Sequence, residues 1–507
     1  MRSLQQDIHS GGGGNGASTI LHISGMTTFY FLIDRNSGTP IHRQVYEGVR
    51  QAILDGRLRS GQRIPSTRGL AAELGVSRLP VLNAYDQLLH EGYLTGRVGS
   101  GTFVNSAVPD DLARPTQLAT GAAPQPRTRP PTRPRSLLAG RLGPFQIGVP
   151  ALDQFPHARW AGLLARHARA LTHGQMAYGS PAGLMPLRAA IADHLRVARA
   201  VRCEAEQVIV VSGSQAALHL SAAVLLAPGD RVALEDPGYF GAHSALRASR
   251  GKLLPVPVDR EGISVASLQR RGGRVRAVYV TPSHQYPLGV SMSAGRRFAL
   301  LDWAFRRGAW VLEDDYDSEF RYVSRPLGAL QGMDTHGRVI YIGTFSKAFF
   351  PAIRIGYLVV PFLLRERFLK ARAAFDFSSP PLYQLALAEF LREGHFARHL
   401  RRMRGVYLER RNALLAGLSQ HCANHLTIHN ADAGLHVTVL LRSRIDDRAV
   451  VRRMADRELF AGPLSTCYVR TTRQNGLLLG FGASTPERLF EATRVLAEIL
   501  CEAGRAG

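Results

Sequence analysis

From about residue 142 onward, short apolar runs alternate with helix-patterned stretches, and nothing else in the chain restricts its fold so strongly. The runs are QVIVVSG (207–213), RVALED (231–236), RAVYVTP (276–282), AWVLEDD (309–315) and RVIYIGTFS (338–346). Their length and β-branched content read as strands rather than buried helices. Strands that alternate with helices predict an α/β fold with a mostly parallel sheet. In such sheets ligands bind beyond the carboxyl ends of the strands. Four motifs with usable chemistry fall at those ends: SGSQAAL (212–218), EDPGYF (235–240), EDDYDSEF (313–320) and TFSK (344–347).

The rest of the chain divides into three zones. Residues 1–38, with GGGGNGAS at 11–18, read as a flexible N-terminal tail, and Met26 is an alternative initiator. Residues 39–105 are compact and helix-patterned. Residues 106–141 are rich in Pro, Arg and Thr, too poor in apolar surface to fold, and read as an extended linker. Residues 142–507 form the α/β part.

Bulk composition narrows the function. The formal net charge is +24 and the pI about 10.8. That points to an anionic partner such as nucleic acid, or to a compositional bias toward arginine, which is spread along the whole chain. The linker's Arg114, Arg127, Arg129, Arg133, Arg135 and Arg141 can touch a phosphate backbone. Cys203, Cys422, Cys467 and Cys501 are far apart with no CxxC pair, so neither a disulfide framework nor a metal site is expected, and a reducing cytoplasm fits. No apolar run reaches the roughly 18 residues of a membrane-spanning helix.

The strand-end motifs match the needs of one cofactor. Pyridoxal phosphate requires a lysine for its Schiff base, an acidic partner for the pyridinium nitrogen, and an anion site. Lysine is scarce here, at Lys252, Lys347 and Lys370 alone. Lys347 supplies the amine. Asp314 can hold the ring nitrogen protonated, and Tyr316 can bond the ring's phenolic oxygen. Ser214 and Gln215, at a helix N-terminus, can cradle phosphate. Thr344, Ser346 and Arg354 complete the cradle, with Arg354 giving charge-assisted bonds. Tyr239 can stack on the ring.

Residues 39–105 parse as two short helices joined by a Gly-Val-Ser turn, then a hairpin around a Gly-rich turn. Val45, Val49, Ile53 and Leu54 recur at helical spacing, and Ser66 and Ser77 are N-cap candidates. PSTRGLAAELGVSR, AYDQLLHEGYL and GSGTFV, in that order, resemble the GntR-type winged helix-turn-helix. The resemblance implies that the second helix enters the major groove of duplex DNA. Arg78 then faces a base edge or a phosphate, with Ser77 beside it. Arg63, Ser66, Thr67 and Arg68 contact the backbone, and Arg97 and Gly99 on the wing approach the minor groove. Pro80 departs from the pattern, standing where such domains usually carry Thr.

Across residues 142–507 the motifs together resemble the fold-type I aminotransferases. Winged helix, Pro/Arg linker and aminotransferase-like part in one chain resemble the MocR-type regulators of the GntR superfamily. YGSPAGLMPLRAAIADHL (178–195), TPSHQYPLG (281–289) and GLLLGFG (476–482) fit the same pattern. The resemblance implies a transcriptional regulator that senses an amino compound or the cofactor itself. It implies a homodimer on two DNA half-sites. His284 stands where aminotransferases place an Asn near the phenolic oxygen. Tyr178, Arg470 and Arg473 are the effector-binding candidates. An active aminotransferase with an appended DNA-binding part is the alternative.

Overall fold

The computed structural model describes residues 31–97, 99–106, 142–271, 273–323, 328–442, 445–470 and 474–505. The linker, apart from Ser106, and most of the N-terminal tail lie outside the described residues. The chain divides into two compact units, residues 1–132 and 133–507. Among the described residues no helix is long and apolar enough to cross a membrane.

Among its described residues the first unit is built on three helices, α1 (Ile41–Leu54), α2 (Thr67–Glu73) and α3 (Arg78–His90), and a hairpin of β1 (Leu94–Arg97) with β2 (Gly101–Val104). The expected helical stripe of α1 faces inward: Val45, Val49 and Ile53 are buried, joined by Ala52, while Leu54 packs at the margin. Ser66 caps α2 by accepting a bond from the Gly69 N–H at 3.1 Å, which satisfies one of the orphan donors of the first turn. Ser77 occupies the N-cap of α3 without a side-chain capping bond. Pro80 lies in the first turn of α3, where a missing N–H costs no helical bond. The Tyr85 hydroxyl donates to the Pro65 carbonyl at 3.0 Å and ties α3 to the entry of α2. The antiparallel hairpin pairs Leu94 with Val104 and Arg97 with Gly101.

The second unit has an eight-stranded sheet in the order β3-β10-β9-β8-β7-β4-β5-β6. Its strands are β3 (Val208–Val211), β4 (Arg231–Asp236), β5 (Lys252–Asp259), β6 (Gly262–Ile263), β7 (Val275–Val280), β8 (Trp310–Asp315), β9 (Val339–Thr344) and β10 (Gly356–Val359). β5, β4, β7, β8 and β9 pair in parallel. β10 runs antiparallel between β9 and β3. Alternate residues of each strand face opposite sides, and both sides are covered. Ile209, Val211, Leu312 and Ile342 pack under helices Ser214–Leu225 and Phe362–Phe375. Val208, Val210, Tyr341 and Tyr357 pack under helices Met185–Arg199 and Pro381–Arg392. That two-sided burial is why these strands read as continuous apolar runs.

A smaller antiparallel sheet follows, in the order β11-β12-β14-β13, from β11 (Leu426–Asn430), β12 (His436–Leu441), β13 (Gly462–Pro463) and β14 (Gly476–Gly480). Val437, Val439, Leu477 and Leu479 bury one face against helices His395–His421 and Pro486–Arg505. The segment before the main sheet returns to this one: Phe145 bridges to Gly480. A Cβ on Gly480 would lie 2.0 Å from the Gln146 carbonyl oxygen, so this crossing admits only glycine.

Candidate functional site

The strand-end motifs meet at the carboxyl edge of the large sheet. β9 runs to Thr344, and Lys347 lies three residues further on in the turn. The Thr344 hydroxyl accepts from the Ser346 N–H and donates to the Ser346 hydroxyl, both at 3.1 Å. The Lys347 Nζ donates to the Gly148 carbonyl at 2.8 Å. Gly148 adopts φ +74°, and a Cβ there would sit 2.5 Å from Nζ. Burial lowers the Lys347 amine from its usual value, against the opposing pull of the Asp317 and Asp314 charges. A lysine held this way is a better nucleophile near neutral pH.

Asp314 lies at the end of β8 on the neighbouring strand and is buried. Its Oδ2 accepts from the Tyr279 hydroxyl at 2.8 Å. Its Oδ1 is buried and has no hydrogen-bond partner. Burial raises the carboxyl to about 7, the Tyr279 bond opposes that, and the Asp315 and Asp317 charges add to it. A buried acceptor without a donor is costly, and a pyridinium N–H is the donor that would complete it.

Tyr316 and His284 form the next layer. The Tyr316 hydroxyl lies 3.0 Å from His284 Nδ1, which also lies 3.0 Å from Asp317 Oδ1. His436 on β12 lies beside them, 5.3 Å from His284 between ring centroids, with Nε2 3.2 Å from the Pro287 carbonyl. Burial pushes His436 down to about 4, so it is neutral at physiological pH. The ligand-type atoms of His284, Asp317 and His436 lie within 4.8 Å of one another. They are already engaged with Tyr316, with each other and with Pro287, as a hydrogen-bond network is.

The anion side is set by β3 and β10. β3 leads through Gly213, at φ +91°, into the N-terminus of helix Ser214–Leu225. Arg354, itself at φ +51°, donates to the Ser212 carbonyl at 2.7 Å. Its guanidinium lies 3.3 Å from where a Gly213 Cβ would be. Ser214 and Gln215 begin the helix; the Gln215 side chain turns away to the Gly241 carbonyl at 3.0 Å and leaves the backbone donors. Tyr239 is near both charges, because the Asp314 carboxylate and the Arg354 guanidinium each act on its hydroxyl. Its ring meets Tyr286 edge-on at 5.6 Å.

A buried acceptor without a donor, an enclosed lysine, and an arginine against a glycine-opened helix N-terminus are what pyridoxal phosphate requires. The residues fit the group. Lys347, Asp314, Tyr316, His284, Tyr239, Ser214, Gln215, Thr344, Ser346 and Arg354 are thus placed around one edge. Three candidates stand apart. Tyr178 is 92 % exposed and meets Phe377 edge-on at 5.6 Å. Arg470 is exposed, although its neighbour Val469 bonds Asp236 at 2.9 Å. Arg473 lies outside the described residues. Sequence reasoning missed Tyr279, Asp317 and His436: Asp317 stands inside EDDYDSEF, but Tyr279 reads as one more apolar strand residue, and nothing local marks His436.

Asp314 gives a test in pH. A carboxyl whose folded pKa lies above its unfolded value stabilises the fold below the unfolded pKa and loses that contribution as pH rises through the folded one. For Asp314 the window runs from 3.8 to about 7. The buried His243, His399 and His436 and the half-buried His194, lowered to about 4, act in the opposite sense over part of it. The expected result is therefore a difference. In thermal melts of cofactor-free protein, Asp314→Asn loses less stability than the parent across this window, by up to about 4 kcal/mol. Parallel curves would count against the buried, unpartnered carboxyl.

In the first unit the DNA-facing candidates lie on the surface. Arg63, Ser66, Arg68, Ser77, Arg78, Arg97 and Gly99 are exposed and Thr67 is half-buried. Arg78 Nε donates to Thr67 Oγ1 at 3.3 Å, which links the starts of α2 and α3. Arg97 lies over the Phe103 ring at 5.0 Å. Gly99 takes φ +75° in the turn of the hairpin, and the Arg63 guanidinium packs beside Gly101.

Comparison with known proteins agrees with both units. Residues 41–104 match the bacterial regulatory proteins of the gntR family, and residues 144–490 match the aminotransferases of class I and II. The chain is 41% identical over 468 residues to the probable rhizopine catabolism regulatory protein MocR of Rhizobium meliloti, covering 92% of this chain and 94% of that one. It is 36% identical over 464 residues to the pyridoxine biosynthesis regulator PdxR of Corynebacterium glutamicum, covering 91% and 95%. Among solved structures it is similar to LysN, an α-aminoadipate aminotransferase of Thermus thermophilus complexed with N-(5'-phosphopyridoxyl)-L-leucine. That match has TM-score 0.67 and 30% identity, covering 73% of this chain and 95% of that one. Coverage of both units in single relatives leaves one conclusion: the chain belongs to the MocR-type transcriptional regulators, DNA-binding proteins of the GntR superfamily that carry an aminotransferase-like, pyridoxal phosphate-binding part.

Proposed function

We propose that residues 39–105 read an operator with two half-sites, and that residues 142–507 sense a small amino compound, or the cofactor itself, at Lys347. The tail (1–38) and linker (106–141) complete the division of the chain, the linker joining reader to sensor. The carrying observation is an enclosed Lys347 amine in the turn after β9 together with the buried, unpartnered Asp314 Oδ1 on the adjacent strand β8. Pyridoxal phosphate, when bound, supplies an aldehyde that bonds to amines and a ring that withdraws electrons from what is bound. Around it this chain's residues orient and protonate. Asp314, fixed by Tyr279, would hold the ring nitrogen. Tyr316, set by His284 and Asp317, would meet the ring oxygen. Arg354 with the Ser214 and Gln215 N–H groups would hold phosphate, aided by Thr344 and Ser346.

The relatives are named for rhizopine catabolism and pyridoxine biosynthesis, which supports a small-molecule effector. Arg470 and Arg473 are the candidates for its carboxylate. Tyr178, Phe377, Met176 and Phe375 are exposed apolar side chains. Exposed apolar surface is costly, and a second copy of the chain in a cytoplasmic homodimer would cover it, bringing Tyr178 to the partner's site. Sedimentation of the loaded protein should give a dimer.

On DNA, Arg78 and Ser77 face base edges or nearby phosphates, Arg63, Ser66, Thr67 and Arg68 the backbone, and Arg97 and Gly99 the minor groove. The test is binding of the full chain to DNA from upstream of its own gene. Affinity should fall steeply with salt and exceed that for unrelated DNA. Steady transamination without such binding would instead favour the reading as an enzyme, for which Lys347, Asp314 and Tyr316 are equally suited.

A further inference from the structure

We propose that the unit of residues 133–507 carries a phosphate-binding surface of its own for duplex DNA. It lies beside helix His157–Arg169 and the start of helix His395–His421, and is built from Arg159, Arg166, Arg392, Arg398, Arg401 and Arg402. The inference rests on the DNA-reading function proposed above and adds a second area of contact outside the winged helix.

The distribution of charge motivates it. Residues 133–507 hold 50 of the 63 Arg and Lys and 30 of the 39 Asp and Glu, a net of +20, whereas residues 1–132 net only +4. The unit that reads DNA by its motif is thus not where most of the positive charge lies. A general arginine bias would scatter that charge. Instead, part of it gathers on one surface.

All six arginines are exposed. Arg159, Arg166 and Glu393 border a cavity of about 600 Å³ whose lining includes the small residues Ala158 and Gly162. Arg392 acts on His167 from the end of helix Pro381–Arg392. Arg398 donates to the Glu393 carbonyl at 3.1 Å, and Arg402 donates to the Gln154 carbonyl just before helix His157–Arg169. Carbonyl acceptors orient a guanidinium without neutralising it. The carboxylates nearby offset only part of this charge: Glu389 pairs with Arg166 and with His167 at 2.8 Å, and Glu393 pairs with His395 at 2.9 Å. Arg159 and Arg401 make no ion pair among the described residues. Arg398, Arg401 and Arg402 follow at i, i+3 and i+4, so three like charges share one helix face and repel one another. A polyanion with closely spaced single charges relieves that repulsion, and guanidinium groups match phosphate geometry.

The test compares salt dependence in the full, cofactor-supplemented chain, using duplex DNA from upstream of its own gene. Arg159→Gln/Arg401→Gln/Arg402→Gln should bind more weakly at moderate salt. Its plot of log affinity against log salt should be shallower by about 0.9 for each phosphate that the variant no longer neutralises. Discrimination against unrelated DNA should be retained. A control, Arg260→Gln/Arg274→Gln/Arg307→Gln, removes the same charge from exposed positions elsewhere in the unit and should leave the slope unchanged. An unchanged slope in the first variant, or an equal fall in both, overturns the proposal. Absence of any preference for the upstream DNA in the parent chain is a different failure, that of the DNA-reading function itself. Weakened binding to an acidic protein with DNA binding intact would also overturn it, by assigning the surface to another partner.

Discussion

Lys347→Ala is expected to abolish the Schiff-base absorbance band of cofactor-supplemented protein while leaving the fold intact. The amine sits at the strand edge, donates to the Gly148 carbonyl at 2.8 Å, and feels the opposing charges of the Asp317 and Asp314 carboxylates. No other lysine of the chain lies in a strand-end motif. Without the amine, pyridoxal phosphate can still meet Arg354 and the helix N-terminus, so binding weakens and becomes non-covalent. Stability of the cofactor-free variant should change little, because removing an enclosed cation also removes its desolvation cost. The absorbance spectrum and a thermal melt of the same sample read both parts. A folded variant that keeps the parent's visible band would contradict the role given to Lys347.

Arg78→Ala is expected to lower the preference for upstream over unrelated DNA by about 1–3 kcal/mol, roughly five- to 150-fold. Arg78 is the first residue of α3, exposed, and braced at 3.3 Å by Thr67 Oγ1. A side chain at the start of the recognition helix reaches base edges. Arg68→Ala removes the cation proposed to meet the phosphate backbone instead and should weaken both DNAs about equally. Competition binding with the two duplexes separates these patterns. Equal effects of the two substitutions on preference would show that Arg78 does not read bases.

Much of the fold was legible because its strands are buried on both faces. VALED in β4, WVLEDD in β8 and VIYIGT in β9 are apolar through their length until the motif that ends them. β5 was not legible. KLLPVPVD carries Pro255 and Pro257 at alternate positions, which argues against a strand unless one edge is open. β5 pairs along its length with β4 alone and with β6 only at its end, so that edge exists. β10 is only four residues long and follows a short helical turn at Pro351–Ile353. The small antiparallel sheet had no run marked strongly enough to predict.

The site divides in the same way. Residues carried by strand-end motifs, such as Lys347, Asp314 and Arg354, could be read because ligand chemistry shares a short stretch of sequence. Tyr279 could not, since its bond to Asp314 depends on the pairing of β7 with β8. His436 reaches His284 from the second sheet, across a long separation in sequence that no local pattern shows. Tyr178 is a candidate for the effector pocket by sequence, yet within one chain it faces outward against Phe377. Whether a side chain serves its own site or a second copy's is not written in spacing.

The most direct measurement is to trap the cofactor on the chain. Protein loaded with pyridoxal phosphate is reduced with borohydride, digested, and the peptides weighed. With only Lys252, Lys347 and Lys370 in the sequence, each outcome is unambiguous. The expected result is the pyridoxyl mass on the peptide that contains Lys347 and on no other. The label on Lys252 or Lys370, or on no lysine of a folded, loaded protein, would contradict the site built here.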